Sequence, residues 1–203
     1  MIRIGIDLDG VVFDSERNFR TYEEIYAIEE LGNRSLLDKE GTYFKTRYDW
    51  TEEEGRNFID KYYVKCSRQS HVMAGFIPVY ERLKNMDVKL IAITARGGLK
   101  PQMVDEAKRL LKDNNIEFDK VYWNTHDKAK VCLDENIDLM IDDNFNHVLR
   151  VSEKKIKTLY FNNTAHVGGI GYSEEREMFY ISGSGVINYY SLDFLTRLPL
   201  RTK

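Results

Sequence analysis

The sequence predicts an α/β protein, a parallel sheet covered by helices on both faces with a mostly helical segment inserted after the first strand. Ile2–Leu8 is apolar on both faces apart from Arg3 and Asp7, as a central parallel strand would be. From Pro78 onward, short apolar runs alternate with amphipathic stretches of helical length, the rhythm of strands joined by crossover helices. Between 15 and 77 the apolar residues instead recur at helical spacing, with aromatics at high density.

The elements follow in order. After the first strand, Phe19, Tyr22, Ile25, Tyr26 and Ile28 define a helix over Ser15–Leu31, stopped by Gly32-Asn33. Thr51-Glu52-Glu53-Glu54 is a capping box, and Phe58, Ile59, Tyr62, Tyr63 and Cys66 share one face of the helix it opens. A short helix spans Val79–Met86, with Pro78 near its start. Val88–Thr94 is a buried strand, and Lys100–Asn114 a helix turning Met103, Val104, Ala107, Leu110 and Leu111 inward. Strands at Lys120–Trp123, Leu139–Ile141 and Ile156–Phe161 alternate with helices at Lys128–Asn136 and Asn146–Lys154. Beyond Asn162, GGIGYS and SGSG do not lead from a strand into a helix as a dinucleotide fingerprint must, and they read as loops. Leu192–Leu198 reads as a closing helix capped by Ser191.

With 203 residues, 42% of them hydrophobic, the chain is long enough to bury a sizeable core. A formal charge of −3 provides no general attraction to nucleic acid or anionic membrane. No apolar run approaches the ~20 residues that span a bilayer, and Asp7 and Asp9 break the first apolar stretch too early for a signal peptide. Cys66 and Cys132 fit neither a redox pair nor a zinc site and read as buried thiols, so a reducing cytoplasm is the expected compartment. His71, His126, His147 and His166 lack metal-ligand spacing.

Ligands of an open parallel sheet bind at the carboxyl ends of its strands. Those ends carry Asp7-Leu8-Asp9, Thr94-Ala95-Arg96-Gly97-Gly98, Asp127-Lys128 and Asp142-Asp143-Asn144. Singly, each has an ordinary alternative: a turn former, a strand threonine, a solvated lysine, a helix cap. Jointly they place four carboxylates on one rim, repelling by roughly 4 kcal/mol per pair at about 4 Å and an effective dielectric near 20. A divalent cation relieves that repulsion, and all-oxygen ligation suits Mg²⁺. In such a site Asp7 can attack phosphorus, Thr94 and Lys128 can bind the phosphoryl oxygens, and Asp9 can exchange protons with the leaving group and water. Arg96, beside Thr94, is a candidate anion contact.

The set DLDGV, AIT, DK and IDDN, in this order, resembles the haloacid dehalogenase-like phosphohydrolases over Ile2 to about Phe161. The resemblance implies a Rossmann-like three-layer core of strand order 5-4-1-2-3, formed by 1–14 and 78–203, with a helical cap at 15–77. It implies Asp7 as nucleophile, Asp9 as acid/base, and Thr94 and Lys128 as phosphate contacts, with Lys130 the weaker candidate lysine. Mg²⁺ would be held by Asp7, the Asp9 carbonyl and the Asp142/Asp143 pair. HDKAKV and LMIDDN are similar to the 5′(3′)-deoxyribonucleotidase branch, which implies a nucleoside 5′-monophosphate as substrate. Tyr43, Phe44, Tyr48, Trp50 and Phe76 are candidates to stack a base, and Arg20 or Arg47 to touch phosphate or sugar; packing of the cap's own core is the alternative. A sugar-phosphate or other small-metabolite phosphatase is the second enzymatic reading. A phospho-Asp receiver domain is the non-enzymatic one, although there the acidic pair comes before the phosphorylated aspartate. The expected partner is a small phosphorylated metabolite, neither nucleic acid nor membrane.

Overall fold

The computed structural model describes residues 1–32, 36–38, 41 and 43–162, and the backbone of 169–173 and 178–182. Its sheet is built on β1 (Ile2–Ile6), β2 (Val88–Ile93), β3 (Lys120–Tyr122), β4 (Leu139–Asp142) and β5 (Lys157–Asn162), which lie parallel in the order β3-β2-β1-β4-β5. This is the expected order read from the other edge. Side chains alternate between the faces with the period of two that a strand imposes. Ile4, Ile6, Leu90, Ala92, Leu139 and Ile141 pack with α4 (Phe76–Lys84) and α5 (Gln102–Asp113) on one face. Ile91, Ile93 and Met140 pack with α6 (Lys128–Asp134) and α7 (Phe145–Ser152) on the other. Gly5 leaves room for Met140, whose sulfur would lie 2.7 Å from a Cβ at that position.

Two strands extend this sheet. β7 (Met178–Ser182) runs parallel to β5, and β6 (Gly169–Ser173) pairs antiparallel with β7 at the edge. Gly169–Ser173, the part of GGIGYS that is described, therefore forms a strand where the sequence predicts a loop. Bulky residues alternate with glycines in Gly169-Ile170-Gly171-Tyr172, and β7 supplies a partner edge that a local reading of the glycines could not foresee. His166, the part of SGSG beyond Ser182, and Leu192–Leu198 lie outside the described residues.

Between β1 and β2 the chain forms α1 (Ser15–Glu29), α2 (Phe44–Arg47) and α3 (Glu52–Arg68). The capping box of α3 is present: Glu54 N donates to Thr51 Oγ1 at 3.2 Å and Thr51 N to Glu54 Oε2 at 2.7 Å. Tyr22, Tyr26, Phe44, Tyr48, Phe58, Tyr62, Tyr63 and Cys66 form a second core with Met103 of α5. The inward face of α1 departs from expectation, because Ile28 is exposed and Glu23 is buried. Glu23 accepts two hydrogen bonds of 2.6 Å from the buried Arg47, a bidentate pair that lets both charges leave water. The segment leaves and rejoins the sheet at one place: Phe13 and Val72 form an antiparallel bridge, flanked by Met73 N to Val12 O at 2.8 Å and Asp14 N to His71 O at 2.9 Å. Among the described residues no helix is long and apolar enough to cross a membrane. Cys66 and Cys132 are both free and buried, as expected.

Candidate active site

β1 delivers Asp7 at its carboxyl end, where Asp7 N still bonds to Ile141 O of β4 at 2.9 Å. The chain then turns sharply. Val12 N and Phe13 N both bond to Leu8 O, at 2.9 and 2.8 Å, and Gly10 adopts φ +71°. Asp9 thus lies where the chain leaves the strand, and its carboxylate is engaged by Arg96. Thr94 directly follows β2; its N bonds to Tyr122 O at 3.0 Å and its carbonyl accepts from Thr125 N at 2.8 Å. Asp127 caps α6 by accepting from Lys130 N at 3.1 Å, which places Lys128 in the first turn, facing the sheet. Asn144 caps α7 and follows the Asp142-Asp143 pair directly.

These ends converge. Carboxylate oxygens of Asp7, Asp142 and Asp143 lie within 4.8 Å of one another. Lys128 Nζ sits among them, 3.0 Å from Asp7 Oδ2 and 2.6 Å from Asp142 Oδ2. Lys130 instead pairs with Asp134 at the surface at 2.8 Å, so only Lys128 enters the site. Burial, with Asp142 and Asp9 adding to it, raises the Asp7 carboxyl to about 6 although Lys128 opposes the rise. Burial and the charges of Asp7 and Asp142 push Asp143 well above the usual carboxylate range. Burial works against ionising Asp142 as well, but Lys128 and then His147 hold it below that range. Lys128 is raised above the ordinary lysine range by Asp142 and Asp7, despite its own burial. One lysine among three carboxylates, those of Asp7 and Asp142 buried and that of Asp143 half-buried, leaves an excess of negative charge.

That excess and an all-oxygen donor set fit a hard divalent cation. Gly10 lets Asp143 close in on the first acidic segment: a Cβ there would lie 1.9 Å from Asp143 Oδ2. Asp142 is the more committed member of its pair, since Oδ2 faces Lys128 and Oδ1 accepts from Asn144 N at 2.9 Å. Asp143 is the freer donor.

Asp9 is held apart from this cluster by Arg96. Arg96 Nε donates to Asp9 Oδ2 at 2.9 Å, Nη2 pairs with Asp9 Oδ1, and Nη1 donates to Ser67 Oγ at 2.5 Å. Burial opposes ionisation of Asp9, but Arg96, and after it the Ser15 hydroxyl, hold it below the usual range. Three residues at the site escaped the sequence reading: Ser15, Ser67 and His147, the last with Nδ1 3.5 Å from Asp142 Oδ2. Arg47, by contrast, is spent on Glu23 and Glu16, and Tyr43, Phe44, Tyr48 and Trp50 pack together in the helical segment's own core. Phe76 belongs to the sheet's core.

No family model matches the sequence, and no curated protein does. Solved structures do. A haloacid dehalogenase-like family hydrolase from Streptococcus pneumoniae superposes with a TM-score of 0.59 at 21% identity, covering 79% of this chain and 84% of that one. A candidate beta-phosphoglucomutase from Thermotoga maritima gives 0.63 at 14% identity, covering 98% and 100%. The chain has the haloacid dehalogenase-like fold. A haloacid dehalogenase-like hydrolase from Xanthomonas campestris agrees, with a TM-score of 0.58 at 16% identity over 96% of each chain. In a haloacid dehalogenase-like fold the five parallel strands bring Asp7, Thr94 and Asp142 to one edge of the sheet, and α6 sets Lys128 between the acids.

Proposed function

We propose that the protein is a Mg²⁺-dependent phosphomonoesterase working through an aspartyl-phosphate, with the helical segment 15–77 as a cap over a core of 1–14 and 78–203. The observation that carries the reading is the convergence of Asp7, Asp142 and Asp143 on Lys128 at the carboxyl edge of the sheet. Asp7, the Asp9 carbonyl and Asp143 would hold the metal, with Asp142 supporting from behind; when bound it offsets the repulsion between an attacking carboxylate and a phosphate. Asp7 attacks phosphorus and the bond to the leaving oxygen breaks. Thr94 and Lys128 bind the equatorial oxygens, where charge is spread in the transition state. Asp9 rests as a carboxylate, so the proton it passes to the leaving oxygen arrives with a phosphomonoester monoanion. It then takes a proton from the water that hydrolyses the acyl phosphate and regenerates Asp7.

For the substrate, the nucleotidase-like motifs support a nucleoside 5′-monophosphate. A sugar phosphate is the second reading, favoured by the packing of Phe44 and Tyr48, with the half-buried Tyr43 and Trp50, against one another in the segment's own core. The likeness to a candidate beta-phosphoglucomutase adds support for it. Asp7→Asn should lower Mg²⁺-dependent phosphate release by about 10³-fold or more. Unchanged release would remove the nucleophile and the mechanism. Comparing kcat/KM on nucleoside monophosphates and sugar phosphates decides between the substrates.

A further inference from the structure

We propose that Arg96 is the positioning residue for Asp9, fixing its carboxylate in the site and making that placement depend on the seating of the helical segment. The inference rests on reading Asp9 as the acid/base. The Arg96 side chain is completely buried, its guanidinium stacked over the Phe13 ring with Cζ 5.0 Å from the centroid. Two of its three nitrogens form a fork on the two oxygens of Asp9, the arrangement that gives a carboxylate a single orientation. The third donates to Ser67, in the last turn of α3. Ser15, the buried first residue of α1, also helps to keep this carboxylate ionised. Through Arg96, Asp9 is thereby tied to the far end of the segment. A guanidinium so engaged has its planar face and its fork already occupied. Arg96 therefore serves phosphate chemistry through Asp9, and the phosphoryl oxygens are left to Thr94 and Lys128.

The roles separate by leaving group. p-Nitrophenyl phosphate departs without a proton, whereas glucose 6-phosphate and uridine 5′-monophosphate need one. Arg96→Lys should lower kcat/KM, which reports the steps up to transfer onto Asp7 and not the shared hydrolysis of the acyl phosphate, by about 10²-fold on whichever of the two alkyl esters the wild type hydrolyses faster, and by less than about threefold on p-nitrophenyl phosphate. Competitive inhibition by orthophosphate should stay unchanged. Ser67→Ala should show the same selectivity to a smaller degree, and Arg96→Lys should add nothing in an Asp9→Asn background. Equal losses on both esters with weakened orthophosphate inhibition would make Arg96 a phosphate ligand and overturn the proposal, as would additive effects with Asp9→Asn. If Arg96→Lys fails to fold, judged by its melting transition, Ser67→Ala decides, and its full activity on the alkyl ester overturns the coupling. A wild type inactive on all three esters with Mg²⁺ overturns the phosphatase reading itself.

Discussion

Gly10 sets how closely two acidic segments approach. Its positive φ costs any other L-residue about 1–2 kcal/mol, and an added methyl would overlap the carboxyl of Asp143, 1.9 Å from Oδ2 and 2.4 Å from Cγ. Gly10→Ala should therefore displace Asp143 and weaken Mg²⁺ binding by about 10–100-fold, measured by calorimetry, even where the sheet still folds. Unaltered affinity would mean that Asp143 is not a ligand. At this scale the sequence was informative wherever a residue's role follows from its place at a strand end. Asp7, Thr94, Asp142 and Asp143 each terminate or follow a strand, and the choice of Lys128 over Lys130 reduces to which one faces the sheet. Ser67 and His147 were illegible for the opposite reason. Each gains its place from a partner on another element, Ser67 from Arg96 and His147 from Asp142, and no local spacing encodes those meetings.

Among the elements, the amino-terminal side of the sheet is bound together by Glu135, which caps the end of α6. It accepts from Arg3 of β1 at 2.7 Å and from Lys120 and Tyr122 of β3, so it reaches strands on both sides of β2. Hydrogen bonds from Lys120 and Tyr122 lower its carboxyl to about 2. A depressed carboxylate stabilises the fold above its unfolded value, near 4.5, and loses that contribution as pH falls through the folded value. Glu135→Gln should accordingly lower the melting temperature at pH 7, with the gap to wild type closing as pH drops from about 4.5 toward 2. A gap independent of pH would assign the loss to packing. The central parallel strands β1, β2 and β4 were legible because burial on both faces leaves mostly apolar runs. β6 was not, since its glycines carry no burial signal and its pairing depends on β7.

For the molecule as a whole, the described residues form a core on each face of the sheet and an aromatic core in the helical segment, which meets the sheet at one seam. Phe58 is the centre of the aromatic core, its ring within 5.3–5.9 Å of Tyr26, Phe44, Trp50, Tyr62 and Tyr63. Phe58→Ala should cost about 3–5 kcal/mol by denaturant melting, as a fully buried ring lost from close packing does. A loss under ~1 kcal/mol would mean the segment contributes little to cooperative folding. The seam is fastened from the sheet side: Met103 of α5 inserts into the aromatic core, Arg68 Nε reaches Glu106 at 2.8 Å, and Lys100 pairs with Asp60.

The bridge between Phe13 and Val72 has a consequence for how such a protein changes over time. Because the chain leaves and returns at adjacent points, everything between them can lengthen, shorten or be exchanged without moving a strand. Thr94, Lys128, Asp142 and Asp143 all lie on chain that never passes through the loop so closed, and Asp7 precedes it. On the proposed function, chemistry and selectivity would be separable parts, and Ser67 on one side and Arg96 on the other are where a new segment would have to be fitted to the old reaction.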